Sequence, residues 1–204
     1  MRIKTLLLIL VFYACSKSEN PQPYSLPKIT AEPSKNRESS PEQQITDLNK
    51  QIVEVLKLKD YKKLSTYIHP EKGVRFSLYS YISDQDKIFL KAEFEKYLES
   101  ETRFTFGNKD GSGAPYIIPL FQYIKEWVFK RDFTKAKVNY NNFEGKGNTM
   151  NNIKQKYPGA ITIENYMAGT VAYSYMDWNS LILIFEKYGG QFYLVGIANN
   201  QWTV

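Results

Sequence analysis

The chain has 204 residues, 43% of them hydrophobic, 24% charged and 15% aromatic, enough for one ordinary core and too few for a long multidomain enzyme. Its formal charge is +6. The excess is spread thinly: 21 basic residues face 17 acidic ones from Gln43 onward, a balance too mild for a nucleic-acid surface, so no nucleic-acid partner is expected.

The amino terminus reads as an address. Arg2 and Lys4 precede an apolar run from Leu6 to Tyr13, then small Ala14 and Cys15. A bilayer span needs about 20 apolar residues, so this run is a cleavable leader rather than an anchor helix. Cys15 is the only cysteine, which excludes an internal disulfide and leaves its thiol for acylation. The pattern resembles a bacterial lipoprotein box, with Phe12 where an aliphatic residue is usual. It implies residues 1–14 as signal peptide, Cys15 as the lipidation site and the membrane as a partner through its acyl chains. Ser16 after the cysteine, by resemblance to the enterobacterial sorting rule, implies the outer rather than the inner membrane.

Residues 15–42 hold five of the nine prolines and few large apolar side chains, so they are expected to form a disordered tether to a single domain over residues 43–204. Ser40-Pro41-Glu42-Gln43 combines an N-cap serine with proline at the first helical position. Ile45, Leu48, Ile52, Val55 and Leu56 then recur at helical spacing. Asp60 caps a second short helix that carries Leu64 and ends before Pro70. Val74, Phe76 and Leu78 alternate with Arg75, Ser77 and Tyr79, a strand pattern. Lys91 to Glu99 reads as helix, Arg103 to Phe106 as extended, and Asp110-Gly111-Ser112-Gly113 as a turn. Leu120, Phe121, Ile124, Trp127 and Val128 form a second helical stripe. Lys137 to Tyr140 and Ile161 to Met167 are strand candidates around a short polar helix near Thr149 to Lys156. Leu181 to Glu186 and Phe192 to Ile197, separated by Lys187-Tyr188-Gly189-Gly190-Gln191, read as a β-hairpin. The order implies an α+β fold, with N-terminal helices on a curved antiparallel sheet.

Chemistry-bearing motifs are sparse. One histidine and one cysteine exclude an ordinary zinc site, and no phosphate-binding loop or nucleophile elbow occurs, so no metal, cofactor or catalytic residue is assigned. Asn108 to Gly113 matches the first half of a calcium loop, but Pro119 stands where a bidentate glutamate is required. His69, before Pro70, reads as a helix-end residue that bonds or packs, with a general-base role as the alternative. Asp177-Trp178 before the hairpin and Trp202 after it are expected near one end of the sheet, where two indoles with polar neighbours suit a small-molecule pocket.

The segments His69-Pro70-Glu71-Lys72-Gly73-Val74-Arg75-Phe76-Ser77, Asp110 to Gly113, Asp177-Trp178-Asn179-Ser180-Leu181, Phe185-Glu186 and Tyr193-Leu194-Val195-Gly196-Ile197 resemble a family of uncharacterised secreted or lipid-anchored bacterial proteins. The element order is similar to the NTF2-like cone, which implies a pocket between sheet and helices. His69, Arg75, Asp177, Trp178 and Glu186 are the ligand-binding candidates for it. The leading expectation is a lipid-anchored envelope protein that binds a small molecule or another envelope protein. The rival is a small pocket enzyme of isomerase or hydrolase type, with Asp177 or Glu186 as base and His69 or a tyrosine as partner. A third reading is an interaction surface without a pocket.

Overall fold

A computed structural model describes residues 40–203. The signal peptide, Cys15 and nearly all of the expected tether lie outside the described residues. Helix α1 spans Pro41–Leu58, so it starts ahead of the domain boundary expected at Gln43. Ser40 caps it by accepting the Gln43 N–H at 3.2 Å. Gln43 turns forward to Asp47 rather than back to the cap. Lys59 closes the helix in the left-handed region (φ 58°), its N–H bonding the Leu56 carbonyl while the Asp60 N–H reaches Val55. Asp60 then caps α2 (Tyr61–Leu64), whose last turn tightens into a 3₁₀ turn at Ser65–Tyr67.

The remaining elements in chain order are β1 (Val74–Ser77), β2 (Lys87–Phe89), α3 (Lys91–Leu98), β3 (Arg103–Asn108), β4 (Pro115–Pro119), α4 (Leu120–Tyr123), β5 (Lys137–Tyr140), α5 (Ile153–Lys156), β6 (Ile161–Met167), β7 (Asn179–Tyr188) and β8 (Gln191–Gln201). Helix α4 continues as a π turn over Ile124–Val128, with the Phe129 N–H bonding Ile124 at 2.9 Å. Its indole, Trp127, donates Nε1–H to the Leu78 carbonyl at 2.8 Å, which fastens this turn to the exit of β1.

The fold is α+β. Six strands form one sheet in the order β2-β1-β8-β7-β6-β5, and β3 and β4 form a separate hairpin. Every neighbouring pair in the large sheet is antiparallel except β1 and β8, which run parallel with Phe76 opposite Ile197. The sheet is therefore mixed, where the sequence suggested a wholly antiparallel one. The β7–β8 hairpin turns through Gly189 (φ 55°) and Gly190 (φ 87°), two successive left-handed residues that glycine adopts without steric cost.

Strand alternation gives the sheet two covered faces. On the helical face, Phe76, Leu181, Leu183, Phe185 and Ile197 join α1, α3 and α4 in the main core. The space between sheet and helices is filled there by aromatic rings. Phe106 stacks on Tyr123 at 3.8 Å between centroids, and Phe76 touches both edge-on. A buried amide pair, Asn49 and Asn165, exchanges hydrogen bonds of 2.8 and 2.9 Å and ties α1 to β6.

The opposite face carries Ile182, Ile184, Val195 and Ala198, covered by Ile82, Ile153 and the partly buried Phe143 and Tyr157. Glu164 lies on this face without exposure to solvent. Four donors converge on its carboxyl: the Glu144 N–H (2.6 Å), the Gly145 N–H (3.2 Å), Asn139 Nδ2 (2.9 Å) and Ser180 Oγ (2.7 Å). They pin the loop after β5 onto Trp178, where Gly145 sits so close that a Cβ there would lie 2.5 Å from the indole.

Candidate functional site

The five residues singled out in the sequence occupy separate places. His69 is buried in the turn that leads into β1. Its Nδ1 accepts the N–H groups of Glu71 (3.2 Å) and Lys72 (3.0 Å), so the ring proton sits on Nε2, and the imidazole packs against Tyr188 at 5.0 Å. The ring therefore bonds amides rather than the helix carbonyls. Glu186, near the same hairpin end, forms an ion pair with Lys72. Arg75 lies on the second face and donates to the Tyr157 hydroxyl (3.1 Å) and the Ser83 carbonyl (2.6 Å).

Asp177 and Trp178 stand at the opposite end of β7, about 27 Å along the strand from Glu186. Trp178 is buried and faces Tyr166 at 6.1 Å. The expected meeting of indoles occurs: Trp178 and Trp202 line one shallow groove of about 330 Å³ together with Lys130, Arg131 and Asp177. Asp177 is committed within it. Its carboxylate accepts the Thr170 N–H at 2.5 Å and the Thr170 hydroxyl at 3.1 Å, contacts that hold it below the ordinary aspartate range, and Arg131 lies 3.4 Å away.

A different cleft, of about 400 Å³, opens where β1 leaves the sheet. The β3–β4 hairpin walls it on one side with Thr105, Gly107 and Asp110, and Asn148 to Met150 close another. Its construction follows from the chain leaving β1. Tyr79 turns toward the hairpin, where its hydroxyl accepts the Asp110 N–H at 3.1 Å, and the Thr149 hydroxyl donates to Asp110 Oδ2 at 3.1 Å. Ser77 points its hydroxyl to the Tyr81 carbonyl at 3.0 Å, and Asp86 Oδ2 accepts the Ser83 N–H at 2.9 Å. Among the described residues, Asp86 and Asp110 are the only charged ones that line this cleft.

Burial raises the Asp86 carboxyl above the ordinary aspartate range, against the opposing pull of the Ser83 N–H, the Ser77 hydroxyl and the Arg75 guanidinium. Tyr123 is fully buried, and its hydroxyl finds no hydrogen-bond partner among the described residues. Burial, then the nearby charge of Asp86, pushes that hydroxyl well above the usual tyrosine value. An unpartnered buried hydroxyl costs free energy, so Tyr123→Phe is expected to leave stability unchanged or raise it by about 1 kcal/mol. A urea titration of the two proteins checks this, and a loss beyond about 1 kcal/mol means that the hydroxyl has a partner.

The sequence places Asp110 in a turn that matches the first half of a calcium loop, and Asp86 in a polar stretch after β1 with no role assigned. The usable signal was composition: Tyr79-Ser80-Tyr81 and Ser83-Asp84-Gln85-Asp86 interleave aromatic and acidic residues directly after a strand end. Among the described residues no group of three or more His, Cys, Asp or Glu side chains is placed to hold a metal ion. No protein-family model matches the chain, and no curated protein does.

Proposed function

We propose that this chain is a lipid-anchored protein of the bacterial cell envelope whose domain captures a small, positively charged, amine-bearing molecule in the cleft beside β1. The leader ending at Cys15 and the resemblance to secreted and lipid-anchored bacterial proteins support the address. One observation carries the ligand class: among the described residues the cleft is lined by two carboxylates and no cation, with the aromatic Tyr79 and Tyr81 beside them. An ammonium group beside Asp86 or Asp110 gains charge-assisted hydrogen bonds, and tyrosine faces attract the same charge.

Capture is favoured over catalysis because His69 does not line this cleft and its Nδ1 is spent on backbone amides. Neither base of the enzyme reading, Asp177 or Glu186, lines the cleft, and a base at Asp86 has only a tyrosine as the partner which that reading allows.

The test is thermal unfolding of the full chain against a panel of small amines and uncharged polyols. At least one amine is expected to raise the melting temperature, with Asp86→Asn weakening its affinity roughly tenfold. A cation favours ionised Asp86, so affinity falls as the pH drops through the raised Asp86 value and is retained above it. Failure of every amine to stabilise the protein sinks the proposal. Equal stabilisation of wild type and Asp86→Asn by polyols alone assigns the cleft to neutral ligands and rejects the charged class.

A further inference from the structure

The loop between β6 and β7 holds its backbone tightly while leaving its large side chains outside. Thr170 and Asp177 clasp its two ends, and the Tyr175 N–H bonds the Thr170 carbonyl at 2.8 Å. Ser174 (φ 51°) and Tyr175 (φ 62°) are both left-handed, a conformation that costs a residue with a side chain about 1 kcal/mol or more. Gly169 is required by this geometry, since a Cβ there would sit 2.2 Å from the Tyr175 carbonyl oxygen. The Arg131 guanidinium fastens the loop to the domain by donating to the Asp177 carbonyl at 2.8 Å.

This rigid frame displays Val171 (75% exposed), Tyr173 (66%), Tyr175 (62%) and Met176, with Trp202 exposed on the neighbouring chain end. Met176 and Trp202 line the same groove as Lys130 and Arg131. Lys130 bonds the Gln201 amide oxygen rather than a carboxylate, so its charge is not cancelled by its partner. Soluble domains seldom concentrate exposed aromatic and aliphatic side chains in one loop unless something covers them.

We propose that this loop, with Trp202, Lys130 and Arg131, seats the domain on the headgroup layer of an anionic phospholipid bilayer. Tyrosine and tryptophan favour the interface because each has an apolar body and a polar tip, and Lys130 leaves the patch a net positive charge once Arg131 is paired with Asp177. The chain outside the described residues fits the same occupant. Cys15 precedes Ser40 by 25 residues, which span at most about 90 Å when fully extended. An acylated Cys15 therefore keeps the patch within reach of the bilayer. The location rests on the lipid-anchor reading of the proposed function, whereas the affinity of the patch for lipid does not.

The experiment uses the full chain, its Cys15→Ser form and a Val171→Ser/Tyr173→Ser/Met176→Ser variant, each with phosphatidylglycerol-containing and pure phosphatidylcholine vesicles. Partition is read by sedimentation, and depth by quenching of tryptophan emission with brominated lipid. In the Cys15→Ser background, which removes any partition due to acyl chains, adding the three serine substitutions is expected to lower partition into anionic vesicles about tenfold. Quenching is expected to disappear in Trp202→Phe and persist in Trp127→Phe. Equal partition of the Cys15→Ser form with and without the three serine substitutions, with Trp202 unquenched, overturns the proposal. A triple variant that instead shifts from dimer to monomer assigns the patch to a second copy and also overturns it. If Cys15→Ser matches wild type in cell fractionation while the triple variant still loses vesicles, the anchor reading fails and the patch stands.

Discussion

Phe76→Ala is expected to lower the free energy of unfolding by about 3–5 kcal/mol, the range for truncating a phenylalanine in a closed core. Phe76 has no exposed surface and touches rings from four separate elements: Phe89 of β2 at 6.0 Å, Phe94 of α3 at 6.2 Å, Phe106 of β3 at 6.2 Å and Tyr123 of α4 at 5.8 Å. Phe89, Phe106 and Tyr123 cannot collapse into the gap without leaving another ring, because Phe89 packs on Phe104 and Phe106 while Phe106 and Tyr123 are stacked. The cavity therefore stays open, and the cost sits at the upper part of the range. Phe76→Leu keeps most of the volume and is expected to cost less than about 2 kcal/mol. Urea denaturation followed by far-UV circular dichroism measures both. A loss below about 1 kcal/mol for the alanine variant contradicts a tightly interlocked aromatic layer. The same substitution is expected to weaken amine binding, because β1 carries both this ring and the Ser77 to Tyr79 wall of the cleft.

What the sequence disclosed divides along the range of the interactions involved. Helix α1 and the start of α2 were legible because Ser40, Pro41 and Asp60 act on backbone groups a few residues away. The β7–β8 hairpin was legible because two glycines sit between two apolar runs. Strand β2 was missed since three residues carry no periodicity, and Lys87–Phe89 is extended only because β1 offers it a partner. The parallel pairing of β1 with β8 joins segments more than a hundred residues apart, and nothing local encodes it. The π turn after α4 keeps the same apolar stripe as an α-helix, so Leu120 to Val128 reads identically either way.

The candidate site follows the same rule. Trp178 and Trp202 meet because the register places Asn179 opposite Gln201, a consequence of the hairpin that the sequence already showed. His69, Arg75 and Glu186 stand out in the sequence as polar residues among apolar ones, but each is engaged by a partner that pairing or turn geometry brings in: backbone amides, Tyr157 and Lys72. The cleft carboxylates come from two loops that approach only after β3 packs beside β1, so their convergence depends on the tertiary fold.

Glu164 gives the second large effect. Glu164→Ala is expected to cost about 3 kcal/mol, because it strands the donors now aimed at a carboxyl with no solvent exposure. Ser180 and Asn139 can reorient their side chains, but the Glu144 and Gly145 amides are fixed by the backbone, and water is their remaining partner. Satisfying them requires the loop to lift away from Trp178. Two readouts should therefore move together: the urea midpoint falls, and Trp178 emission shifts to longer wavelength in native buffer as its cover is lost. Emission from Trp127 and Trp202 is subtracted with the Trp178→Phe protein as reference. Glu164→Gln is the discriminating control. Its carbonyl oxygen can still accept from Glu144 and Asn139, and its amide can donate to the Ser180 hydroxyl, which leaves only the Gly145 N–H unmatched. A loss near 1 kcal/mol with Trp178 still covered is expected for that variant. If glutamine proves as damaging as alanine, charge rather than acceptor count holds the loop. If neither substitution moves the Trp178 emission, the carboxyl does not hold the loop at all, and packing of Gly145 and Gly147 on the indole suffices.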